Sequence, residues 1–206
     1  MSQKIKIHSF PLSGHAHKVV LFANLAGISH EVINVDLPNG EHTKSPFTDL
    51  NAFAQVPVIE DGEVVVADSN AILVYLARRY APRFLPTDPV QEAQVQRFLS
   101  IASGELIYGP AAARLITVFG ADINPEYVQV VASRALSRLE LSLQDREFLV
   151  TDKVTIADIA NYSYVAHAPE GNVDLSPYPN IRAWLKRIEA LPGFVPMQAT
   201  PVGLAA

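Results

Sequence analysis

Hydrophobic and polar residues change their period several times over the first 80 positions, and each change marks an element. Ile5 and Ile7 interleave with Lys4, Lys6 and His8, the alternation of a half-buried strand. Val19, Phe22, Ala23 and Ala26 then recur at helical spacing. A helix is therefore expected from near Ala16, with Gly27 as its stop signal. "EVINVDL" (31–37) reads as a second strand, followed by the polar loop "PNGEHTKSP" (38–46) and a short helix at 47–52. In "VPVIEDGEVVVADS" (56–69) two β-branched runs flank Asp61-Gly62, the dipeptide that type I′ hairpin turns prefer. Ser69 is expected to cap the helix "NAILVYLARRY", which is apolar on nearly every side through Leu76 and so reads as buried. The order β-α-β, then β-β-α, predicts a small mixed sheet with helices packed on it.

"APRFLPTDP" (81–89) carries three prolines and reads as a linker. Everything beyond it has helical spacing. One long segment runs from about Val90 to Phe119, with a kink or break expected at Gly109-Pro110. Val128, Val131, Ala132, Ala135 and Leu139 mark a further helix; Ile156, Ile159, Ala160 and Ser163 another; Ile181, Trp184, Leu185 and Ile188 the last. The expected fold class is α/β plus all-α: a mixed domain over 1–80, a linker over 81–89 and a helical domain over 90–206. An 80-residue domain is marginal by itself. It is expected to pack on the helical part, with the crease between them as a natural ligand site.

Composition narrows the function classes. The 206 residues carry a formal net charge of −5, so no basic field for nucleic acid is expected. With no cysteine, the chain has no disulfide, no thiolate metal site and no cysteine nucleophile of its own, while its redox compartment stays open. "MSQKIKIHSF" lacks the apolar run of a signal peptide, and no stretch approaches the roughly 18 apolar residues of a membrane helix. A cytoplasmic protein without membrane contact is the expectation.

Four stretches carry candidate chemistry. In "FPLSGHAHKVVLFANLAG" (10–27), Ser13 lies just ahead of a helix whose first N–H groups are unpaired and whose end is partly positive. It is a capping or turn serine, a donor to a ligand anion, or a nucleophile, although no Gly-x-Ser-x-Gly elbow supports the last. A metal on His15-x-His17 lacks a third ligand. In "NAFAQVPVI" (51–59), Val56-Pro57 either opens an edge strand in trans or, in cis, turns the Val56 backbone toward an extended peptide. In "ADSNAIL" (67–73), a helix start suits a carboxylate and Asp68 suits a neighbouring ammonium, the two charges of an α-amino acid; a plain cap is the alternative. In "GEHTKSP" (40–46), His42 and Lys44 place positive charge on a loop, where such charge is commonly just solvated. Taken together, these stretches describe a ligand with an amino-acid end, an extended backbone, a terminal carboxylate and an anion near Ser13. A small thiol peptide fits that description.

Over essentially its whole length the chain resembles the cytosolic glutathione transferases, most closely the serine-type phi and theta classes and their bacterial relatives. "GEHTKSPFTDLNAFAQVPVIEDG" is similar to the phi-class stretch joining the carboxylate loop to the cis-proline strand, and "ADSNAILVYL" to the family's acidic-Ser helix start. "VTIADIA" (154–160) resembles its helical-domain capping box, in which Thr155 and Asp158 read as stabilising a helix start. The resemblance implies a thioredoxin-like domain followed by a helical domain, usually as a homodimer, with glutathione as co-substrate and no metal. It implies that Ser13 donates to the glutathione sulfur and that Val56, before a cis Pro57, pairs with the cysteinyl unit. Asp68 and Ser69 would hold the γ-glutamyl end, and His42, Lys44 and Gln55 the glycine carboxylate. By the family's layout Tyr108, Arg114, Leu115 and Phe119, with Tyr164 and His167, would receive a small hydrophobic electrophile; for all six a core role is the alternative. Three departures stand out. His15 replaces a frequent asparagine, either supplying its hydrogen bond or adding charge below about pH 6.5. Thr43 is inserted between His42 and Lys44, and Asp68 stands where Glu or Gln is common. The activity implied is glutathione transfer in detoxification. Its rivals are glutathione-dependent disulfide or peroxide reduction, and a non-catalytic glutathione-binding regulatory protein.

Overall fold

The computed structural model describes residues 4–206, which divide into two compact units. The first runs through Leu85 and takes back Leu191–Gln198; the second comprises Pro86–Ala190 and Ala199–Ala206.

In the first unit the central strand β1 (Ile5–Ser9) lies parallel to β2 (His30–Asn34) and antiparallel to β3 (Val58–Asp61). β3 in turn pairs antiparallel with β4 (Val64–Ala67), for a sheet order β2-β1-β3-β4. A parallel pair cannot be closed by a hairpin, so α1 (Gly14–Ala26) makes the crossover between β1 and β2. α1 and α3 (Ser69–Tyr80) pack on each other and on the sheet. Alternation along β3 buries both its faces: Val58 joins Val35 and Phe47 of the short α2 (Phe47–Leu50), while Ile59 sits opposite Ile7 of β1.

Three local expectations shift. β2 stops at Asn34 rather than 37, because Val35 turns inward to pack with Phe47 and Val58 while its N–H donates to Ser9 O at 2.8 Å. In the hairpin Asp61 pairs with Val64, so the two loop residues are Gly62-Glu63. Of these only Gly62 has a positive φ, +63°, the demand of a type II′ turn rather than type I′. The cap of α3 is Asp68, not Ser69: the carboxylate accepts from both Asn70 N and Ala71 N, and Ser69 is the first helical residue.

The second unit contains α4 (Pro89–Ser103), α5 (Ala112–Phe119), α6 (Pro125–Ser142), α7 (Ile156–Ala166) and α8 (Pro179–Glu189). The expected break at Gly109-Pro110 is a π-helical turn, Ile107–Ala111, between α4 and α5. Pro110 lacks an N–H and suits such a widened turn. A Cβ on Gly109 would lie 2.8 Å from Ala132 Cα, so the backbone of α6 crosses here at a distance only glycine permits. At the start of α7 the capping box forms: Thr155 Oγ1 accepts from Ala157 N at 3.3 Å, and Asp158 Oδ2 accepts from Thr155 N at 2.8 Å. Asp158 is fully buried and also accepts from Thr155 Oγ1, Leu149 N and Trp184 Nε1. Burial pushes its carboxyl pKa up, and these donors only partly offset that. Thr155→Ala removes a cap and one donor to this carboxylate. The expected cost is about 1–2 kcal/mol of unfolding free energy, with an unchanged m-value, in urea denaturation.

Candidate functional site

Two helix starts build the site. Ser13 is the N-cap of α1: its backbone is extended (φ −89°) and its Oγ accepts from Ala16 N at 3.2 Å. Its O–H proton therefore remains available to a ligand. At the start of α3, Asp68 holds φ +73°, a region that costs a non-glycine residue about 1–3 kcal/mol. Both capping bonds fall on Oδ1, at 2.9 and 2.8 Å, and leave Oδ2 out of the cap. His15 joins the two starts, with Nδ1 3.0 Å from Ser69 Oγ.

A cleft of about 630 Å³ opens over these starts, lined entirely by residues of the first unit. It brings together Ser13, His15, His42, Gln55, Val56, Pro57, Asp68 and Ser69. The Val56-Pro57 peptide is cis, as is Ser45-Pro46, which the sequence reading did not single out. His42 Nδ1 is buried in the cleft wall with no hydrogen-bond partner. Lys44 is exposed and does not line the cleft.

Leu37, Asn51, Phe53, Ala54 and Ala67 complete the lining without having been flagged. Asn51 matters most among them. Its Oδ1 accepts from Phe53 N at 3.0 Å and its Nδ2 donates to Gln55 O at 2.9 Å, which pins the loop leading into Pro57. The signal for it was an asparagine opening "NAFAQVP", the side chain that closes turns on its own backbone.

The electrostatics decide between the two roles expected of His15. Burial, aided by the charge of Lys18 and opposed by Asp68, lowers its pKa to about 4. His15 is thus a neutral hydrogen-bonding group at neutral pH, and the expectation of added charge below pH 6.5 is overturned. His17 points elsewhere: its Nε2 lies 2.9 Å from Val195 O. Among the described residues no three His, Asp or Glu side chains group to hold a metal ion. No described helix is long and apolar enough to cross a membrane.

The six electrophile candidates lie in the second unit and differ in kind. Tyr108 is 64% exposed on the π-turn, Leu115 and Phe119 are exposed on α5, and Tyr164 is half-buried on α7. Arg114 is buried, and its Nε donates to Glu170 Oε2; His167 Nδ1 lies 2.6 Å from Glu170 Oε1. Thr200 adds its N–H and O–H to the same carboxylate. Arg114 and His167 therefore serve a buried anion, Glu170, that sequence reasoning missed. Burial alone would raise the Glu170 pKa, but the bonds from Thr200, His167 and Arg114 outweigh it and hold the group at about 2.

Comparison with known proteins agrees with this architecture. Residues 12–79 match the family model for the glutathione S-transferase N-terminal domain, and residues 121–192 match that for the C-terminal domain. Glutathione S-transferase theta-2 of Mus musculus is 32% identical over 194 residues, spanning 88% of this chain and 79% of that protein. Maleylacetoacetate isomerase of Mus musculus is also 32% identical, over 91% of this chain and 89% of its own. A glutathione S-transferase from Pseudomonas fluorescens superposes with a TM-score of 0.90 at 31% identity, covering 96% of this chain and 100% of that one. A glutathione transferase homologue from Drosophila mojavensis, solved with bound glutathione, gives 0.84 at 27% identity, over 92% and 89%.

Two pH experiments test the charges. NMR titration of the His15 ring is expected to show it neutral from pH 7 down to 5 and protonating near pH 4. Glu170 has a folded pKa below its unfolded one, so its contribution to stability is complete above about pH 4.5 and is lost as pH falls toward 2. Glu170→Gln should flatten that part of the stability–pH curve. It should also lower stability at pH 7, because Arg114 is left buried beside an uncharged partner.

Proposed function

From the chain's membership of the glutathione S-transferase family we infer that it is a glutathione transferase of the serine type, with Ser13 as the donor to the glutathione sulfur. The observation that carries this reading is the convergence of Ser13, the cis Val56-Pro57 peptide and the Asp68-Ser69 helix start on one cleft. The γ-glutamyl ammonium goes to Asp68 Oδ2 and its carboxylate to Ser69 at the start of α3, since the Asn70 and Ala71 N–H groups are taken by the Asp68 cap. Val56 offers backbone pairing to the cysteinyl unit. His42 and Gln55, which line the cleft, suit the glycine carboxylate; Lys44 is the more distant choice because it lies off the lining.

Ser13 Oγ accepts from α1 and donates its proton to sulfur, so the helix start and the hydroxyl stabilise the same anion. A free thiol of pKa ~8.5 is about 3% ionised at pH 7. Lowering the pKa by ~2 units makes it roughly 75% ionised, at about 2.7 kcal/mol of anion stabilisation. The more acidic thiolate is also about 6–10-fold less nucleophilic, which leaves a net gain of only about 2–4-fold. Most of the acceleration must come from holding an electrophile in line with the sulfur. Tyr108, Leu115, Phe119 and Tyr164 are the side chains proposed for that task, since Arg114 and His167 are committed to Glu170. Homodimerisation, a cytoplasmic location and a detoxifying role belong to the same reading and rest on the family alone.

A second reading has its own support in the equal identity to maleylacetoacetate isomerase. A thiolate that adds to an electron-poor double bond and then leaves would isomerise that bond. Glutathione affinity, and turnover with an aryl halide, a glutathione-reactive disulfide and maleylacetoacetate, separate these activities from a purely regulatory role. Ser13→Ala is expected to raise the bound-thiol pKa by about 1–2 units and, because the less acidic thiolate is also the stronger nucleophile, to lower kcat/KM at pH 7 only about 2–4-fold. Unchanged turnover would remove the assigned role of the hydroxyl.

A further inference from the structure

Lys18 is 0% exposed, an unusual place for an ammonium. It stands one turn beyond Gly14 on α1 and donates from Nζ to Asn70 Oδ1, 3.3 Å away on α3. Asn70 N in turn donates to the capping oxygen of Asp68. Lys18 to Asn70 thus forms a second rung beside His15 to Ser69, three residues apart on α1 and adjacent on α3. Both rungs tie together the helix starts that open the cleft, but only the His15–Ser69 rung lines it.

An apolar side chain could fill this volume without the desolvation cost of a buried cation. Among the described residues the charge has one anionic neighbour, Asp68, while two helix N-termini add positive potential to the same region. The empty site therefore carries more positive than negative charge. On the proposed reading, glutathione brings two anions to it: a carboxylate at α3 and a thiolate at α1.

We propose that Lys18 is a positioning residue of the glutathione site: its buried ammonium is the through-space counter-charge for the bound anions and braces the two helix starts that receive them. The proposal rests on the reading that places glutathione between Ser13 and Asp68. The groups facing Lys18 are few. α3 contributes Asp68, and α1 contributes His15, which is neutral at working pH. His17 is occupied with Val195 O, and Arg83 donates to Leu25 O at the far end of α1. Burial lowers the Lys18 pKa to about 8 against the pull of Asp68. Near that pH the ammonium is partly deprotonated in the empty protein, and a bound anion draws the proton back.

The test uses wild type, Lys18→Met and Lys18→Gln in three measurements. Ultraviolet titration of the bound thiolate is expected to show the glutathione pKa raised by about half to one unit in both variants, because both lose the charge. The acid limb of kcat/KM should move by the same amount. S-methylglutathione, which has no thiol proton to release, is titrated calorimetrically near pH 8 in buffers of different ionisation enthalpy. Wild type should take up a fraction of a proton on binding, and Lys18→Met should take up less. The wild-type uptake also tests the proposal if a variant does not fold. Binding without proton uptake, or a thiol pKa unmoved in both variants, overturns the role of Lys18 and leaves the site reading intact. A wild type that binds no S-methylglutathione overturns that reading and the proposal together.

Discussion

The arrangement on which everything else depends is the side-by-side packing of two helix N-termini, α1 behind Ser13 and α3 behind Asp68. Each start carries partial positive charge, only partly offset by its cap. Bringing two together is electrostatically unfavourable unless something negative accompanies them. The chain supplies one fixed anion, Asp68, and holds it in a strained backbone conformation. It supplies cross-links at His15–Ser69 and Lys18–Asn70. The remaining charge imbalance suits an anionic ligand, so the feature that makes the empty site costly is also what makes it selective.

The two units handle buried charge differently. In the second, Asp158 and Glu170 are each surrounded by close donors, and both serve architecture. Asp158 ties the start of α7 to Trp184 of α8 and to Leu149. Glu170 gathers Arg114 from α5 and Thr200 from the C-terminal segment. Satisfied networks of this kind rigidify a core. In the first unit Lys18 donates to the neutral Asn70 rather than to a carboxylate, beside the helix starts that open the cleft. Incomplete pairing at a site open to ligand is where binding energy can be realised.

The modest arithmetic of thiol activation bears on how the work divides. Stabilising the thiolate raises its population but softens its reactivity, so a site built only from Ser13 and a helix start would be a weak catalyst. Positioning must supply the rest, which is why rigid helix starts rather than mobile loops carry the sulfur-binding groups. Asn51 extends that logic to the loop before Pro57, where two side-chain bonds hold the backbone in place.

Local patterning carried most of the architecture. The alternation at Ile5 and Ile7, the spacing of Val19 and Phe22, the presence of the hairpin, though not its turn type, and the Thr155–Asp158 box each depend on neighbours within a few residues, and each was legible in the chain. The order of motifs likewise brought Ser13, Val56-Pro57 and Asp68-Ser69 into one candidate set. Tertiary structure decided what depends on partners distant in sequence. His15 is neutral because burial and Lys18 act on it in the folded state. Arg114 turns to Glu170, 56 residues away. Lys18, of a residue type that is almost always exposed, is buried where α1 and α3 pack together. Spacing along a chain reports which face a side chain occupies, whereas its charge state and partners are set by the dielectric and the groups that packing brings to that face.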